Sequence, residues 1–142
     1  MTTLVERDLS QPMRQLIRVR DHLLASDVSV AQGGHDAGPS PHDLYDAALG
    51  ACISLTLLWY AKRHAIPVGP VQVRIERDAA AERDGVYRLD AVVYVSGAPG
   101  AELSSEQRTA LLAAAGNCPV HRLMTHVRTE IATSLGEGDA PL

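Results

Sequence analysis

The stretch from Ser40 to His64 restricts the fold more than any other part of the chain. Ser40 is a favoured N-cap residue, Pro41 fits the first helical position, and Asp43 stands three residues after the cap, as in a capping box. None of residues 47 to 61 is charged. A helix that starts at Ser40 and is apolar on nearly every side must be covered by lipid or by other elements of a fold.

The core of a soluble domain covers this helix better than a bilayer does. The uncharged run is 15 residues long, bounded by Asp46 and Lys62, and a membrane span needs roughly 18 or more. We therefore predict a core helix and no membrane partner. Its inward face, on which we place Cys52, is expected to hold Leu44, Ala48, Cys52, Leu55 and Trp59, widened by Ala47, Ala51, Leu58 and Ala61.

Length and composition indicate one soluble globular domain spanning residues 1–142, with 46% hydrophobic and 21% charged residues. The net charge of −4 argues against nucleic acid and anionic membranes as partners. The first 15 residues contain no apolar leader segment, so we expect a cytoplasmic location and reduced thiols.

Before the long helix, residues 1–12 lack a clear period and are expected to form an N-terminal arm. Two β-rich runs follow, at residues 13–19 and 22–30, and the turn at Arg20 and Asp21 between them predicts a hairpin. Residues 32–39 are dense in glycine, aspartate and proline, so they are expected to form a loop.

After the long helix, residues 71–76 and 87–95 alternate with period two, and Asp84-Gly85 can make the turn of an antiparallel pair. Ser104 and Gln107 predict a capped second helix that ends near residue 115, with Gly116 as a left-handed cap. Cys118-Pro119 then opens a short helix, a strand is expected from residue 126, and residues 136–142 form a polar tail. This order of elements indicates an α+β fold.

The two cysteines, Cys52 and Cys118, are 66 residues apart and form no CxxC motif. By composition alone they fit a structural disulfide, two inert core residues or a reactive pair. A thiol at a helix start is favoured as thiolate, which gives Cys118 a reason to react. Mid-helix Cys52 would need a cation; the candidates on the first hairpin are Arg14, Arg18 and Arg20.

Other constellations give weaker signals. His35, Asp36, His42 and Asp43 match no zinc spacing, so we predict neither a metal nor a cofactor. His42 lies about 15 Å from Cys52 by helical rise, too far for a nucleophile pair. His121 is closer in sequence to Cys118, but as a residue of a turn it is more simply explained as surface.

The segments GGHDAGPSPHDLYDAALGACISLTLLWYAKRH and NCPVHRLMTHVRTEIATSL together resemble the OsmC/Ohr family of osmotically inducible and organic-hydroperoxide-resistance proteins. The resemblance extends from about residue 14 to residue 135. It implies an α+β fold with two central helices packed against antiparallel sheets, an intertwined homodimer, and a peroxidase that uses a cysteine thiolate against organic hydroperoxides.

The resemblance also assigns site residues. Cys52 falls on the peroxidatic cysteine and Cys118 on the resolving cysteine, and Arg20, with Arg18 as the next choice, resembles the activating arginine. The family glutamate that holds this arginine is replaced by His42, so Asp43 beside it is expected to hold the guanidinium.

Two functions follow from these observations. The first is a thiol peroxidase that reduces organic hydroperoxides with Cys52 and Cys118 and is regenerated by an external dithiol reductant. The second is a non-catalytic dimeric module of the same fold that binds an apolar small molecule or senses oxidants.

Overall fold

The computed structural model of the protein describes residues 1–140 and has the predicted α+β architecture. In the described chain the regular elements are β1 Thr3–Arg7, β2 Gln15–Val19, β3 His22–Ser26, α1 Pro41–Arg63, β4 Val68–Asp78, β5 Arg88–Gly97, α2 Ser105–Ala115 and α3 Pro119–Thr125. The strands form two antiparallel sheets, β1-β2-β3 and β4-β5.

The N-terminal residues form a strand instead of the predicted arm. Thr3 pairs with Val19 and the register continues along β1 and β2, because β2 offers this segment a free edge for backbone hydrogen bonds. The predicted hairpin of β2 and β3 is confirmed, and Arg20 at its turn has a positive φ of 53°. The second strand ends earlier than predicted because Asp27 accepts backbone N–H groups and turns the chain.

Helix α1 begins as predicted. The Ser40 side chain accepts the Asp43 N–H and the Asp43 side chain accepts the Ser40 N–H, which completes a capping box. α1 is long and apolar enough to cross a membrane by length and composition. In the protein it packs against β4, α2 and α3, which is the arrangement of a core helix.

The predicted inward face of α1 is wrong for the protomer. Leu55 and Trp59 are 47% and 56% exposed, and Cys52 lies half-buried at the edge of the core. The buried residues of α1 are Asp46, Leu49, Gly50, Ile53, Leu57 and Ala61. Because α1 is apolar on nearly every side, its periodicity did not determine which side meets the sheet.

The hairpin of β4 and β5 supplies the surface on which α1 rests. Val73 pairs with Val93 and the pairing runs from Val71 to Asp78, as the alternating pattern predicted. A side chain at Gly50 would lie 3.2 Å from Ile75, so glycine lets α1 approach β4 closely. The two strands are joined by a 3-10 turn and Gly85, whose φ is +88°.

The C-terminal third departs from prediction in two places. The capping box of Ser104 and Gln107 starts α2 as expected, but Gly116 has φ −65° and continues the right-handed conformation. α3 starts at Pro119 with Cys118 as its N-cap, as predicted. The strand expected from His126 is absent from the described residues, since residues 127–135 pair with no strand there. The predicted polar tail falls partly on residues 141–142, outside the described chain.

The core lies between α1, α2, α3 and the sheet of β4 and β5. Its buried members are Leu49, Ile53, Leu57, Ala61, Leu103, Leu111, Ala115 and Cys118. The sheet of β1, β2 and β3 makes few contacts with these elements and leaves Leu23 and Leu24 exposed. The fold thus places Cys118 inside the core and Cys52 at its edge.

Candidate functional site

The structure brings the two cysteines together. Both thiols are free, and Cys52 lies close enough to Cys118 to raise the pKa of the Cys118 thiol. Cys52 Sγ also accepts the Val120 N–H at 3.4 Å, and Cys118 Sγ accepts the His121 N–H at 3.3 Å. The packing of the start of α3 against the middle of α1 therefore joins residues that are far apart in the sequence.

The two thiols differ in burial. Cys118 is fully buried, whereas Cys52 is half-buried and is the more accessible sulfur. Burial raises the pKa of the Cys118 thiol, the hydrogen bond from the His121 N–H opposes this, and the neighbouring Cys52 raises the pKa further. The helix start therefore does not make Cys118 the preferred thiolate, contrary to the sequence expectation. Desolvation outweighs the favourable backbone N–H group.

The hairpin arginines lie away from Cys52 in the protomer. Arg20 is exposed at the turn between β2 and β3, Arg18 is exposed on β2, and Arg14 pairs with Asp8 at 3.5 Å. Among the described residues, the hydrogen bond to Cys52 Sγ comes from the Val120 N–H, and no guanidinium donates to this sulfur. One protomer therefore does not bring Arg20 to the thiol.

Asp43 binds an arginine, but a different one from that expected. Its Oδ1 accepts Arg77 Nη2 at 2.6 Å, while its Oδ2 accepts the Ser40 N–H at 2.9 Å. The Ser40 N–H, and after it Arg77, lower the pKa of Asp43. Arg77 lies on β4 beside the first turn of α1, so the expectation that Asp43 holds a hairpin arginine is wrong for the protomer.

Arg77 belongs to a polar cluster that the sequence reasoning missed. Its Nε donates to Asp46 Oδ2 at 2.6 Å, and Tyr87 donates its hydroxyl hydrogen to Asp46 Oδ1 at 2.7 Å. Burial, together with the hydrogen bond to Asp46, raises the pKa of Tyr87 to about 12. A carboxylate at the buried side of an apolar helix requires partners, and Asp46 was the signal that could have revealed them.

A cavity of about 360 Å³ lies between α1, β5 and α3. Its lining residues are Tyr45, Leu49, Gly85, Tyr87, Leu89, His121, Met124 and Thr125. Cys52 lies three residues after Leu49 and seven after Tyr45, on the same side of α1. Neither cysteine lines the cavity, but two residues that do, Leu49 and His121, each lie three positions from a cysteine in the sequence.

The other histidines and carboxylates considered above do not converge. His42 Nε2 lies 2.8 Å from Glu82 Oε1, whereas His35 Nδ1 lies 2.7 Å from Gln11 Oε1. Within residues 1–140 no group of three or more metal-ligating side chains comes together. His42, which stands in place of the family glutamate, therefore binds the carboxylate of Glu82 on the connection between β4 and β5.

Comparison with known protein families shows which family the chain resembles in sequence. The sequence model of the OsmC-like protein family matches residues 33–133. Among curated protein sequences, none matches the chain.

Several solved structures share the fold of this chain. The OsmC-like protein of Mycoplasma pneumoniae is 13% identical, with a TM-score of 0.70, over 89% of this chain and 87% of that one. The organic hydroperoxide resistance protein OsmC of Legionella pneumophila is 18% identical, with a TM-score of 0.59, over 89% and 90%. The organic hydroperoxide resistance protein OhrB of Bacillus subtilis is 19% identical, with a TM-score of 0.58, over 88% and 90%. At these identities the likeness shows a shared fold.

Proposed function

Because the chain belongs to the OsmC-like family, we propose that it is a thiol-dependent peroxidase that reduces organic hydroperoxides. The observation that supports this proposal most is the proximity of two free thiols, one half-buried and one fully buried, which accept the N–H groups of the adjacent residues Val120 and His121. Such a pair has an accessible sulfur for the peroxide and a second sulfur within reach of the oxidised product. The solved structures named for organic hydroperoxide resistance share the fold and agree with this proposal.

The proposed reaction starts at Cys52. Its thiolate attacks the terminal oxygen of the hydroperoxide, the O–O bond breaks, and the products are Cys52 sulfenic acid and an alkoxide, which takes up a proton to become an alcohol. The Cys118 thiol then attacks the sulfenic sulfur, which forms a disulfide and releases water. An external dithiol reduces the disulfide and returns both thiols.

The environment of each thiol suits its proposed role. Cys52 is the more exposed of the two residues, and its Sγ accepts the Val120 N–H at 3.4 Å. Cys118 has no exposed surface, and burial raises its pKa. Cys118 is therefore shielded from peroxide and still lies near Cys52.

The proposal includes a homodimer. Leu55, Leu58 and Trp59 are each at least 40% exposed on one side of α1, and the sheet of β1, β2 and β3 exposes further apolar side chains. A second copy of the chain would cover these surfaces. We propose that dimerisation also brings Arg20, from the hairpin of one protomer or the other, to Cys52.

Peroxide consumption tests the proposed activity. We expect wild-type protein to consume cumene hydroperoxide with a dithiol reductant, and Cys52→Ser to lose the activity because it lacks the attacking sulfur. Cys118→Ser should still oxidise at Cys52 but accumulate sulfinic acid, whereas peroxide-treated wild type should show an intramolecular disulfide by mass spectrometry. Equal activity in Cys52→Ser and wild type would contradict the proposal.

The pH dependence of Cys52 alkylation tests the role of Arg20. In a Cys118→Ser background, we expect Arg20→Met to raise the midpoint, because a nearby guanidinium favours the thiolate. Arg83→Met, at an exposed site on the connection between β4 and β5, is the matched control. An unchanged midpoint in Arg20→Met would exclude Arg20 and leave Arg18 to be tested.

The second candidate is a non-catalytic dimeric module that binds an apolar molecule or senses oxidants. The observation that favours it is the use of Asp43 and Asp46 to bind Arg77, which leaves neither carboxylate free to orient a hairpin arginine. A wild-type alkylation midpoint above about 8.5, the ordinary pKa of cysteine, together with no peroxide consumption, would favour this candidate.

A further inference from the structure

His121 occupies a position in the thiol site that the reaction described above does not use. Its backbone N–H lies 3.3 Å from Cys118 Sγ, and its residue lines the cavity of about 360 Å³ with Leu49 and Met124. The preceding residue, Val120, donates its N–H to Cys52 Sγ. The residue that carries the imidazole is thus anchored beside both thiols, and it lines a cavity that Leu49, one helical turn before Cys52, also lines.

The chemistry of peroxide cleavage calls for an acid in this space. When a thiolate attacks an alkyl hydroperoxide, the leaving group is an alkoxide, a strong base that departs more readily as it receives a proton. Of the polar residues that line the cavity, Tyr87 already donates its hydroxyl hydrogen to Asp46, and Thr125 donates its own to the His121 carbonyl. Tyr45 and His121 remain, and imidazole is the side chain that ordinarily changes protonation near neutral pH.

We propose that the His121 imidazolium protonates the alkoxide that leaves when Cys52 attacks an organic hydroperoxide. The Cys52 sulfur forms a bond to the terminal peroxide oxygen, the O–O bond breaks, and the proton passes from His121 to the alkoxide oxygen to give an alcohol. The imidazole then regains a proton from solvent. This assignment rests on the proposed peroxidase function and names a residue that would contact the substrate.

The surroundings of His121 are compatible with this role. The titratable groups that line the cavity with it are Tyr45 on α1 and Tyr87 just before β5, and neither is a carboxylate that would pair with the imidazolium. The two thiols lie beside its backbone, and Arg122 follows it on α3. The apolar walls of Leu49, Leu89 and Met124 suit the organic part of a hydroperoxide.

Peroxides with different leaving groups distinguish between two roles of His121, a proton donor to the leaving group and a residue that only supports the structure of the site. The rate constant for Cys52 oxidation can be measured by quenching with an alkylating reagent and counting alkylated protein by mass spectrometry. With cumene hydroperoxide, which releases a strongly basic alkoxide, His121→Gln should be slower by about 100-fold. With peroxyacetic acid, which releases a weakly basic carboxylate, the same variant should change by less than about threefold.

Two further measurements complete the test. His126→Gln, at the other end of α3 and outside the cavity lining, is the matched histidine control and should keep the wild-type rate with both peroxides. In His121→Ala, added imidazole should restore part of the rate with cumene hydroperoxide. The pH profile is the second measurement, with the rate constant divided by the fraction of Cys52 present as thiolate. In wild type, the corrected rate with cumene hydroperoxide should fall at high pH. In His121→Gln, the corrected rate should stay constant.

The possible outcomes are distinct. Equal losses with both peroxides would overturn the assignment, because a distorted site slows both reactions. Full activity of His121→Gln with cumene hydroperoxide would also overturn it. If wild type reduces neither peroxide, it is the peroxidase proposal itself that fails.

Discussion

Asp46 is charged and almost buried, and two side chains from other parts of the fold bind it. Its carboxylate accepts Arg77 Nε and the Tyr87 hydroxyl hydrogen, and it is 8% exposed. These two hydrogen bonds connect α1 with β4 and with the start of β5. The position of the β4-β5 sheet beneath α1 therefore depends partly on one charged side chain.

We predict that Asp46→Asn lowers the free energy of unfolding by about 2 kcal/mol, because the nearly buried amide can no longer accept hydrogen bonds from both Arg77 and Tyr87. Glu76→Gln is the matched control; Glu76 pairs with Arg74 on the exposed face of β4, and its loss should cost less than about 0.5 kcal/mol. Urea unfolding followed by circular dichroism measures both changes. Equal stability of the two variants would contradict this role for Asp46.

Asp27 organises the loop before α1. Its carboxylate accepts the N–H groups of Ala37, Val28 and His35, and these bonds lower its pKa. Asp27 is therefore less easily protonated in the folded chain than in the unfolded chain, where an aspartate has a pKa of about 3.9. Its contribution to stability is present above that value and is lost as pH falls through the lower folded value.

We predict that wild type is more stable than Asp27→Asn near pH 6 and that the difference shrinks as pH falls below about 4. Urea midpoints at a series of pH values give this difference. Asp36→Asn, on the same loop, is the control for a general change in charge. A constant difference between wild type and Asp27→Asn across this range would show that the loop does not depend on the Asp27 charge.

At the scale of the element, α1 carries half of the candidate site and starts at a complete capping box. The cap is reinforced by Arg77, which binds Asp43 in the first turn. The cap sets where α1 begins and hence where Cys52 lies along it. The cap and the thiol are therefore linked through the rigid helix between them.

We predict that Ser40→Ala costs about 1 kcal/mol of stability, the usual value for the loss of an N-cap hydroxyl. Ser105→Ala tests the specificity of this effect. Ser105 is the first residue of α2 and follows the cap residue Ser104, so its hydroxyl does not cap the helix. The stability of Ser105→Ala should therefore be close to that of wild type. Thermal unfolding of both variants checks the prediction, and a Ser105→Ala loss as large as that of Ser40→Ala would contradict it.

At the scale of the whole molecule, the protomer leaves unusual apolar surface uncovered. Trp59 is 56% exposed near the C-terminal end of α1, and Leu23 and Leu24 are 62% and 50% exposed on β3. The β1-β2-β3 sheet also makes few contacts with the rest of its own protomer. A second copy of the chain would supply contacts to both surfaces.

We predict a dimer at micromolar concentration, measured by sedimentation velocity. Leu55→Glu should shift the protein toward monomer, because it places a charge in the apolar surface of α1. Gln72→Glu, on the solvent-facing side of β4, adds a charge elsewhere and should leave the dimer intact. A wild-type protein that sediments as a stable monomer would contradict the prediction and would remove the proposed route by which Arg20 reaches Cys52.

Local interactions made much of the fold predictable. The capping boxes at Ser40 and Ser104, the turn at Arg20 and the placement of Cys118 before Pro119 all depend on residues within a few positions of one another. The alternation along β4 and β5 likewise predicted an antiparallel pair with one covered face. The resemblance to the OsmC/Ohr family added the pairing of Cys52 with Cys118, which spacing alone did not provide.

What the sequence alone determined is therefore the set of elements and the two cysteines as candidates. The tertiary structure decided which side of α1 is buried, because an almost uniformly apolar helix offers several equivalent sides to a sheet. It also decided that Asp43 binds Arg77 and that burial raises the pKa of Cys118. Electrostatic partners and desolvation depend on distances between elements, and those distances exist only once the chain has packed.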